Sequence, residues 1–333
     1  MSSSELPQQA SQKGVMWFIG VFTALVIVII FALAEYWSFE PDEFDVIEET
    51  LKRQNLKSID ELEDGQVYAN TLAHIAETLL YKPGGYITND VAPPGVLLDN
   101  ITSWEFGALV MLRDATTALR NHLSRAQSQS AEDPDLAIAE PYFYYERNSW
   151  ALPSTEAEYE KGIKALYRYI ERLHNPRQQQ TPGHFYSRAD NLWQYVEIII
   201  KRLGGLSTRL NASSSRYAEL GFTESSKAAP IKQTPWIDID NVFWESRGAA
   251  WALLHIMKAV KHDFRFILED KRAMNTVDII IHEMENAMDP VLSPMILNGD
   301  GFGIFANYSL AMANYIARAN AAALDLRDIM NRG

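Results

Sequence analysis

The sequence predicts an all-α protein: an N-terminal single transmembrane helix followed by a multi-helix, antiparallel, bundle-like soluble domain. One uninterrupted apolar stretch lies near the start of the chain. In the remainder, apolar residues recur at spacings of three and four, which is typical of helices buried on one face. Alternating strand patterns are scarce, and no repeat of fixed period is found. Removing the apolar stretch leaves roughly 295 residues, enough for one large or two ordinary domains.

The apolar stretch, residues 14–34, reads GVMWFIGVFTALVIVIIFALA and contains no charged side chain. As a helix, these roughly 21 residues would span about 31 Å, close to the ~30 Å hydrocarbon core of a bilayer. Trp17 near one end, and Tyr36 and Trp37 past the other, are aromatic residues of the kind enriched at membrane interfaces. The pattern predicts a transmembrane anchor over residues 14–37, with the lipid bilayer as its partner.

The charges that flank this stretch predict its orientation. Residues 1–13 carry Lys13 and a single acid, whereas the following segment EYWSFEPDEFDVIEE is rich in acids and precedes Lys52. Because positive charge tends to stay on the cytoplasmic side, we expect a cytoplasmic tail over 1–13 and a periplasmic domain over 38–333. The setting would be a bacterial inner membrane. The competing interpretation, a signal peptide cleaved after Ala34, is disfavoured by the length of the apolar core.

Composition excludes several classes of function. The formal net charge is −13, and the chain contains no cysteine. The excess of acids argues against nucleic acid as a partner, because such binding neutralises phosphates with Lys and Arg. The lack of cysteine excludes thiolate nucleophiles, iron–sulfur clusters and cysteine-bound zinc. A domain outside the cytoplasm without disulfides must be held together by its apolar core.

Each predicted helix in the first two-thirds of the domain has an apolar stripe. The stripes are Phe44, Ile47 and Leu51; Tyr68, Leu72, Ile75 and Leu79; Ala108, Leu112, Ala115 and Leu119; Tyr159, Ile163, Leu166, Ile170 and Leu173; and Leu192, Val196, Ile199 and Leu203. Ser58 with Glu61, and Thr155 with Glu158, have the spacing of capping boxes at helix starts. Residues 204–205, a Gly-Gly pair, are predicted to end the helix before them.

The last third of the chain predicts three further helices. Residues 221–236, GFTESSKAAPIKQTPW, are polar, contain prolines and lack a helical stripe, so they form the candidate boundary between two subdomains. Beyond this boundary the periodicity predicts a long helix over about 240–268, another over 275–288, and an alanine-rich helix over about 309–330.

Three stretches of the soluble part carry a resemblance as a set: LDNITSWEFGALVMLRDATTALRNHLSRAQSQSAEDPDL, SWALPSTEAEYEKGIKALYRYIERL and HFYSRADNLWQYVE. Together they resemble an uncharacterised family of proteobacterial membrane-anchored proteins, the domain of unknown function 2333. The resemblance extends from soon after the apolar stretch to near the C-terminus. It implies a bacterial origin and an inner-membrane setting, and it implies no activity, cofactor or catalytic residue.

Charged residues on two predicted helices are the candidates for ligand or partner binding: Arg113, Asp114, Arg120, Arg125, Arg188 and Asp190. Arginine recognises carboxylates and phosphates in a bidentate manner, so Arg113 and Arg120 would grip an anionic group or an acidic partner. We favour the alternative that they pair with Asp114, Asp190 or Glu140 and hold two helices in register. An anionic-ligand sensor would need Arg113, Arg120 and Arg188 to converge on one pocket.

Two acids are the candidate catalytic residues of a hydrolase that cleaves cell-wall glycan. Glu105 follows Trp104, and Glu140 precedes the aromatic run of residues 141–144. Sugars stack on aromatic faces, and glycosidases use one or two carboxylates. A pair of acids about 5–9.5 Å apart in a deep cleft would support this interpretation.

The sequence predicts no metal site and no cofactor. His282 and Glu283 are adjacent, but the second histidine that a helical zinc site requires four residues later is missing. Residues 298–301, Asn-Gly-Asp-Gly, lack the series of acids and the distal glutamate of a calcium-binding loop.

The sequence favours an envelope scaffold or adaptor, which binds protein partners through its periplasmic domain, over an enzyme. This hypothesis rests on the predicted anchor, the amphipathic helices and the lack of a G-x-S-x-G elbow or a glycine-rich phosphate loop. The carboxylate-dependent hydrolase and the anionic-ligand sensor remain as alternatives. Gly20 and Ala24 form a small-xxx-small pair that would allow a homo-oligomer through the membrane.

Overall fold

The structure is a computed structural model that describes residues 6–126, 131–174, 181–213, 233–293, 295–299 and 304–332. Its α-helices are α1 (Leu6–Trp37), α2 (Val46–Gln54), α3 (Gln66–Tyr81), α4 (Asp99–Ala118), α5 (Leu136–Phe143), α6 (Thr155–His174), α7 (Ala189–Asn211), α8 (Ile239–Asp263), α9 (Arg265–Asp270), α10 (Met274–Ala287) and α11 (Tyr308–Asn331). Within the described ranges there is no strand, only an isolated bridge between Asn298 and Asn307. The all-α prediction is confirmed.

Helix α1 is the long apolar helix that the sequence predicts. It begins at Leu6, before the apolar stretch, and its segment Gly14–Trp37 has a mean hydropathy of 2.8 over the most apolar window. That window is not buried against any other described part of the protein. By length and composition, α1 is therefore able to span a membrane.

Helices α4 and α8 run parallel at the centre of the bundle, and α3 fixes their relative direction. Near the start of α3, the Tyr68 hydroxyl donates to the carbonyl oxygen of Ala115 at 3.2 Å. Just past its end, Lys82 pairs with Glu105 at 2.6 Å, so α3 is antiparallel to α4. The backbone N–H of Tyr68 also donates to Asp263, the last residue of α8, at 2.8 Å. Because α3 packs along α8 from this contact, it is antiparallel to α8 as well.

The backbones of α4 and α8 touch where two glycines face the opposite helix. A Cβ atom at Gly107 would lie 1.9 Å from the carbonyl oxygen of Glu245, and one at Gly248 would lie 2.0 Å from that of Trp104. Only glycine permits such a close approach. The ring of Trp104 packs against that of Trp251, with centroids 5.2 Å apart, and fills the space beside the contact.

The prediction that a helix ends at the Gly-Gly pair 204–205 is wrong. Helix α7 continues through both residues to Asn211 and packs antiparallel to α11. Leu203, Leu206 and Leu210 are all buried along this part of α7. Burial of three leucines outweighs the helix penalty of about 1 kcal/mol for each glycine.

Neither predicted capping box starts an α-helix in the way that the sequence predicts. Ser58 caps a short 3₁₀ turn, Ile59–Glu61, and α3 begins only after Gly65, which has a positive φ. At α6 the cap is Ser154, whose hydroxyl oxygen accepts from the backbone N–H of Ala157 at 3.3 Å. Thr155 instead donates its hydroxyl to the carbonyl oxygens of the preceding loop.

The long helix predicted over about 240–268 is divided into α8 and α9 at Phe264. The buried ring of Phe264 packs edge-on against Phe185, with centroids 5.5 Å apart, at the point where the chain bends. The helices predicted over 275–288 and 309–330 are present as α10 and α11. Of the candidate boundary 221–236, residues 221–232 lie outside the described residues, so the division into subdomains stays a prediction.

Candidate functional site

The strap, defined here as residues 38–45 between α1 and α2, lies along α8. Its Glu40 carboxylate accepts from Nε of Arg247 at 2.7 Å. The guanidinium of Arg247 also donates to the backbone carbonyl oxygens of residues 287–289, at the end of α10. Burial raises the pKa of the Glu40 carboxyl, an effect that the charge of Arg247 opposes. One buried arginine therefore joins the strap, α8 and α10.

Further along the strap, the ring of Phe44 stacks on His255 with a centroid distance of 3.9 Å and an interplanar angle of 4°. Nε2 of His255 accepts the backbone N–H of Phe44 at 3.0 Å, so the proton lies on Nδ1, which donates to the carbonyl oxygen of Trp251 at 2.7 Å. Burial lowers the pKa of His255 to about 3. His255 is thus a neutral histidine that attaches the strap to α8.

Beside the strap, the start of α2, the end of α8 and α10 enclose a groove of about 710 Å³. Its apolar lining residues are Phe44, Val46, Ile47, Met274 and Ile281, and its charged lining residues, here called the rim, are Glu43, Asp45, Lys258, Lys261, Arg265, Asp278 and Glu285. Across the rim, Lys258 lies 3.3 Å from Glu43 and 3.1 Å from Glu285. Lys261 lies 2.5 Å from Asp278. The groove therefore combines apolar side chains with charges of both signs, four acids and three basic residues.

His262 is the titratable ring on the wall of the groove. Its Nδ1 lies 2.9 Å from one oxygen of Asp263, whose other oxygen accepts the backbone N–H of Tyr68. Asp263 is buried, and this burial raises its pKa. A carboxylate that orients a histidine is used in general base catalysis, but the described residues around the groove include no Ser, Thr or Cys nucleophile. The sequence pattern does not single out this pair, because two adjacent residues, a His and an Asp, are its only signal.

Arg113, one of the predicted binding residues, lies at the junction of α4, α5 and α6. Its Nε donates to the carbonyl oxygen of Phe143 at 2.6 Å, and its guanidinium also donates to the carbonyl oxygen of Tyr145 and the hydroxyl of Tyr159. Carbonyl groups at a helix C-terminus have no partner within their own helix. Arg113 therefore supplies donors to the end of α5.

The other two predicted arginines bind different partners. Arg120 pairs with Glu140 and lies 2.6 Å from Glu132. Arg188 forms a bidentate pair with Asp190 at 2.7 and 2.9 Å on the exposed start of α7. The structure thus joins Arg120 to Glu140, a pairing that the helix-register interpretation names, and gives Arg113, Arg120 and Arg188 separate sets of partners. Their binding of a ligand or a protein stays a prediction.

The remaining two predicted binding residues also lie on or just beyond α4. Asp114 forms a two-point ion pair with Arg202 of α7, and Arg202 also borders a smaller cavity of about 250 Å³ between α4, α7 and α8. Arg125 follows the π-helical turn Leu119–Leu123, in which α4 ends. Its backbone N–H donates to the carbonyl oxygen of His122.

Glu105, a predicted catalytic acid, is buried in a clamp that holds the loop after α3. Its carboxylate lies 2.6 Å from Nζ of Lys82, and both side chains are almost completely buried, at 0% and 1% exposed. The same carboxylate accepts the backbone N–H groups of Ile87 and Thr88 at 2.9 Å each. The carboxylate is therefore enclosed by its own loop and does not open to solvent.

Glu140, the other candidate acid, lies far from Glu105. It accepts the hydroxyl of Thr117 at 2.6 Å, on the same helix α4 that carries Glu105. Twelve residues separate Glu105 from Thr117, which corresponds to about 18 Å along the helix axis. Since glycosidase acids lie about 5–9.5 Å apart, this geometry is not that of an acid pair.

In the described parts of the chain, no group of three His, Asp or Glu side chains is arranged to hold a metal ion. Glu283 is buried and pairs with Arg318. Its neighbour His282 is exposed. Asn298 donates its side-chain amide to the carbonyl oxygen of Ser213 at 3.0 Å.

The family comparison covers nearly the whole chain. The family model described as an uncharacterized protein conserved in bacteria (DUF2333) matches residues 10–333. The chain belongs to this family. The DUF2333 match begins within α1 and continues through the strap, the groove and the rest of the bundle, so the resemblance seen in the sequence is confirmed. Neither the curated proteins nor the solved structures include a match to the chain.

Proposed function

We propose that this protein is a single-pass inner-membrane protein whose periplasmic helical domain is an envelope scaffold or adaptor that binds protein partners. In this proposal α1 spans the membrane, residues 1–13 lie in the cytoplasm and residues 38–333 lie in the periplasm. The observation that carries it is the packing of the strap on α8. A flexible tether would let the domain rotate, whereas a strap packed on α8 would restrict that rotation in the proposed arrangement.

The groove is the surface best placed to receive a partner. From Glu40 to Phe44 the strap runs in the same direction as α8, from Arg247 to His255. The groove, at the C-terminal end of α8, therefore lies at the end of the bundle away from α1. In this orientation it would face the periplasm. An apolar centre surrounded by a polar, charged rim is also the usual anatomy of protein–protein interfaces.

The alternatives receive less support from the geometry. Glu105 is enclosed in an internal clamp, and Glu140 is engaged by Arg120 and Thr117. This arrangement argues against a two-carboxylate hydrolase. The sensor hypothesis requires three arginines at one pocket, but Arg113 and Arg188 have unrelated sets of partners.

Site-specific photocrosslinking in living cells tests the proposal. A photoreactive amino acid is placed in the full-length protein at Arg265 or Asp278 on the groove rim, and at the exposed Glu171 of α6 as the matched control. We expect one or two discrete envelope proteins to be captured from the groove positions and not from Glu171. Failure to capture a protein at either groove position, or capture of the same proteins at Glu171, would contradict the assignment of the groove.

Two variants separate binding from chemistry. The exchange Lys261→Glu with Asp278→Lys preserves an ion pair and inverts its direction, so the bundle should remain folded while capture at Arg265 is lost. His262→Gln removes the titratable ring of the groove. If this variant retained the captured partners but abolished the cellular function of the protein, the adaptor would be rejected in favour of catalysis.

A further inference from the structure

Several connections between helices meet at the end of the bundle from which α1 leaves. Trp37, the last residue of α1, packs on Gly84, where a Cβ atom would lie 2.7 Å from the indole ring. Gly84 belongs to the loop 82–98 that precedes α4. The segment 233–238 precedes α8. Because α4 and α8 are parallel, both segments lie at this same end.

Two further connections reach the same end. The side-chain amide of Asn89 donates to the carbonyl oxygen of Ser149 at 2.8 Å, which places the loop 146–154 beside the loop that holds Gly84. Arg247 binds the carbonyl oxygens with which the connection from α10 to α11 begins. The described parts of four connections therefore lie at the end of the bundle from which α1 leaves.

Each of these connections exposes large apolar side chains. We define the α1-side face by six of them: Leu97, Trp150, Leu152, Trp236, Leu292 and Ile304. Leu152 is 99% exposed and Ile304 is 98% exposed. At the opposite end of the bundle, the exposed Ile59 and Phe266 follow α2 and α8. Large apolar residues gathered on one exposed surface are typical of sites that contact a protein or a membrane.

The charges around the α1-side face indicate which kind of interaction could hold this face against another surface. Asp90, Glu146 and Asp238 are acids of these connections, and Arg147 lies over the ring of Phe106 at 4.3 Å. An acidic surface is not attracted to anionic lipid headgroups. Burial of apolar side chains would therefore have to provide the binding free energy.

We propose that the α1-side face lies against the bilayer that α1 spans and inserts its apolar side chains into the interfacial layer. The inference rests on the proposed membrane span. Because Trp37 ends the span and packs directly on Gly84, the bilayer surface is adjacent to this end of the bundle without an intervening linker. Trp150 and Trp236 carry the side chain that is favoured at membrane interfaces. The groove then faces away from the membrane.

Fluorescence quenching on the full-length protein in phosphatidylcholine vesicles tests the proposal. Since the chain has no cysteine, single cysteines at Leu152, Trp236 and Ile304 can each be labelled with an environment-sensitive dye. Cysteines at Phe266 and Val28 report on the far end of the bundle and on α1, respectively. All five positions are exposed, so the substitutions should leave the fold intact. We expect a headgroup-proximal nitroxide lipid to quench the dye at the three face positions. We also expect aqueous iodide to quench the dye at these positions severalfold less than at Phe266.

The outcomes distinguish this proposal from the one on which it rests. If Val28 is shielded from iodide but the face positions behave like Phe266, the face does not contact lipid and the membrane span still stands. If Val28 is as open to iodide as Phe266, the membrane span itself is rejected. Protection of the face positions from both quenchers would show that protein covers them, and would also overturn the proposal.

Discussion

Arg247 and Glu40 lie 207 residues apart in the chain and meet in a largely buried ion pair at 2.7 Å. The remaining donors of Arg247 bind backbone carbonyls at the end of α10. The pair therefore connects the segment that follows α1 to the central helix of the bundle. The guanidinium of Arg247 and the carboxylate of Glu40 each need the other, because a buried charge without its partner is strongly unfavourable.

Replacing Arg247 with Gln should destabilise the bundle by about 3–5 kcal/mol, because Glu40 and the α10 carbonyls lose their donors. Urea unfolding of the full-length protein in detergent, followed by tryptophan fluorescence, measures this loss. The control is Lys164→Gln, which breaks the exposed pair with Glu160 and should cost less than about 1 kcal/mol. Equal losses in both variants would show that the strap contact does not contribute to stability.

The clamp between Lys82 and Glu105 predicts a non-additive double-mutant cycle. Either Lys82→Met or Glu105→Leu leaves one buried charge alone and should cost about 3–5 kcal/mol. The double variant should cost less than the sum of the two single losses, because it leaves no unpaired charge. Unfolding midpoints in urea give the three values. Additive losses would indicate that the two side chains do not interact in the folded protein.

The buried, neutral His255 should lower the free energy of unfolding as the solution becomes acidic. Burial lowers its pKa to about 3, whereas an unfolded histidine titrates near ~6.5. Below about pH 6.5 the unfolded chain binds a proton that the folded protein does not, so the free energy of unfolding falls as the pH falls. At ~1.36 kcal/mol for each pKa unit, the loss attributable to His255 approaches roughly 4–5 kcal/mol by about pH 3.

Comparison of variants isolates this contribution. Burial also lowers the pKa of His74 and His122, which act in the same direction. His255→Gln should therefore flatten, and not abolish, the dependence of the urea midpoint on pH between about pH 7 and pH 4. An unchanged profile in His255→Gln would contradict the neutral state of this ring.

Two glycine substitutions should have opposite effects on the stability of the protein. Gly248→Ala would place a Cβ atom 2.0 Å from the carbonyl oxygen of Trp104, so the helices must separate, at a cost of about 3 kcal/mol. Gly205→Ala, in the interior of α7 with open space around it, should stabilise the protein by about 0.5–1 kcal/mol. Thermal unfolding by circular dichroism measures both, and a neutral Gly248→Ala would contradict the close approach.

Local sequence pattern was sufficient for most of the helices. The stripe from Tyr68 to Leu79 and the stripe from Tyr159 to Leu173 are buried, because helical periodicity of apolar residues records which face packs inward. Pattern was insufficient where tertiary packing opposed a local signal. The pair 204–205 is a typical helix stop, yet α7 continues because its leucines are buried on both sides of the pair.

The candidate site could not be predicted, because it depends on long-range contacts. The acids of residues 38–45 resemble those of a solvated linker until Glu40 is seen against Arg247. Glu105 was a candidate catalytic acid because it follows Trp104, whereas its environment is set by Lys82 in the preceding loop. In the same way, the burial of Asp263 depends on packing by α3, which is distant in the chain.

The pairing of the strap with α8 also determines the order in which native contacts become available during synthesis. At roughly 5–20 residues per second, the ribosome needs about 10–40 s to advance from Glu40 to Arg247. Throughout that interval the first segment beyond α1 lacks the helix on which it finally packs. The earliest part of the domain to be made is therefore among the last to reach its native environment.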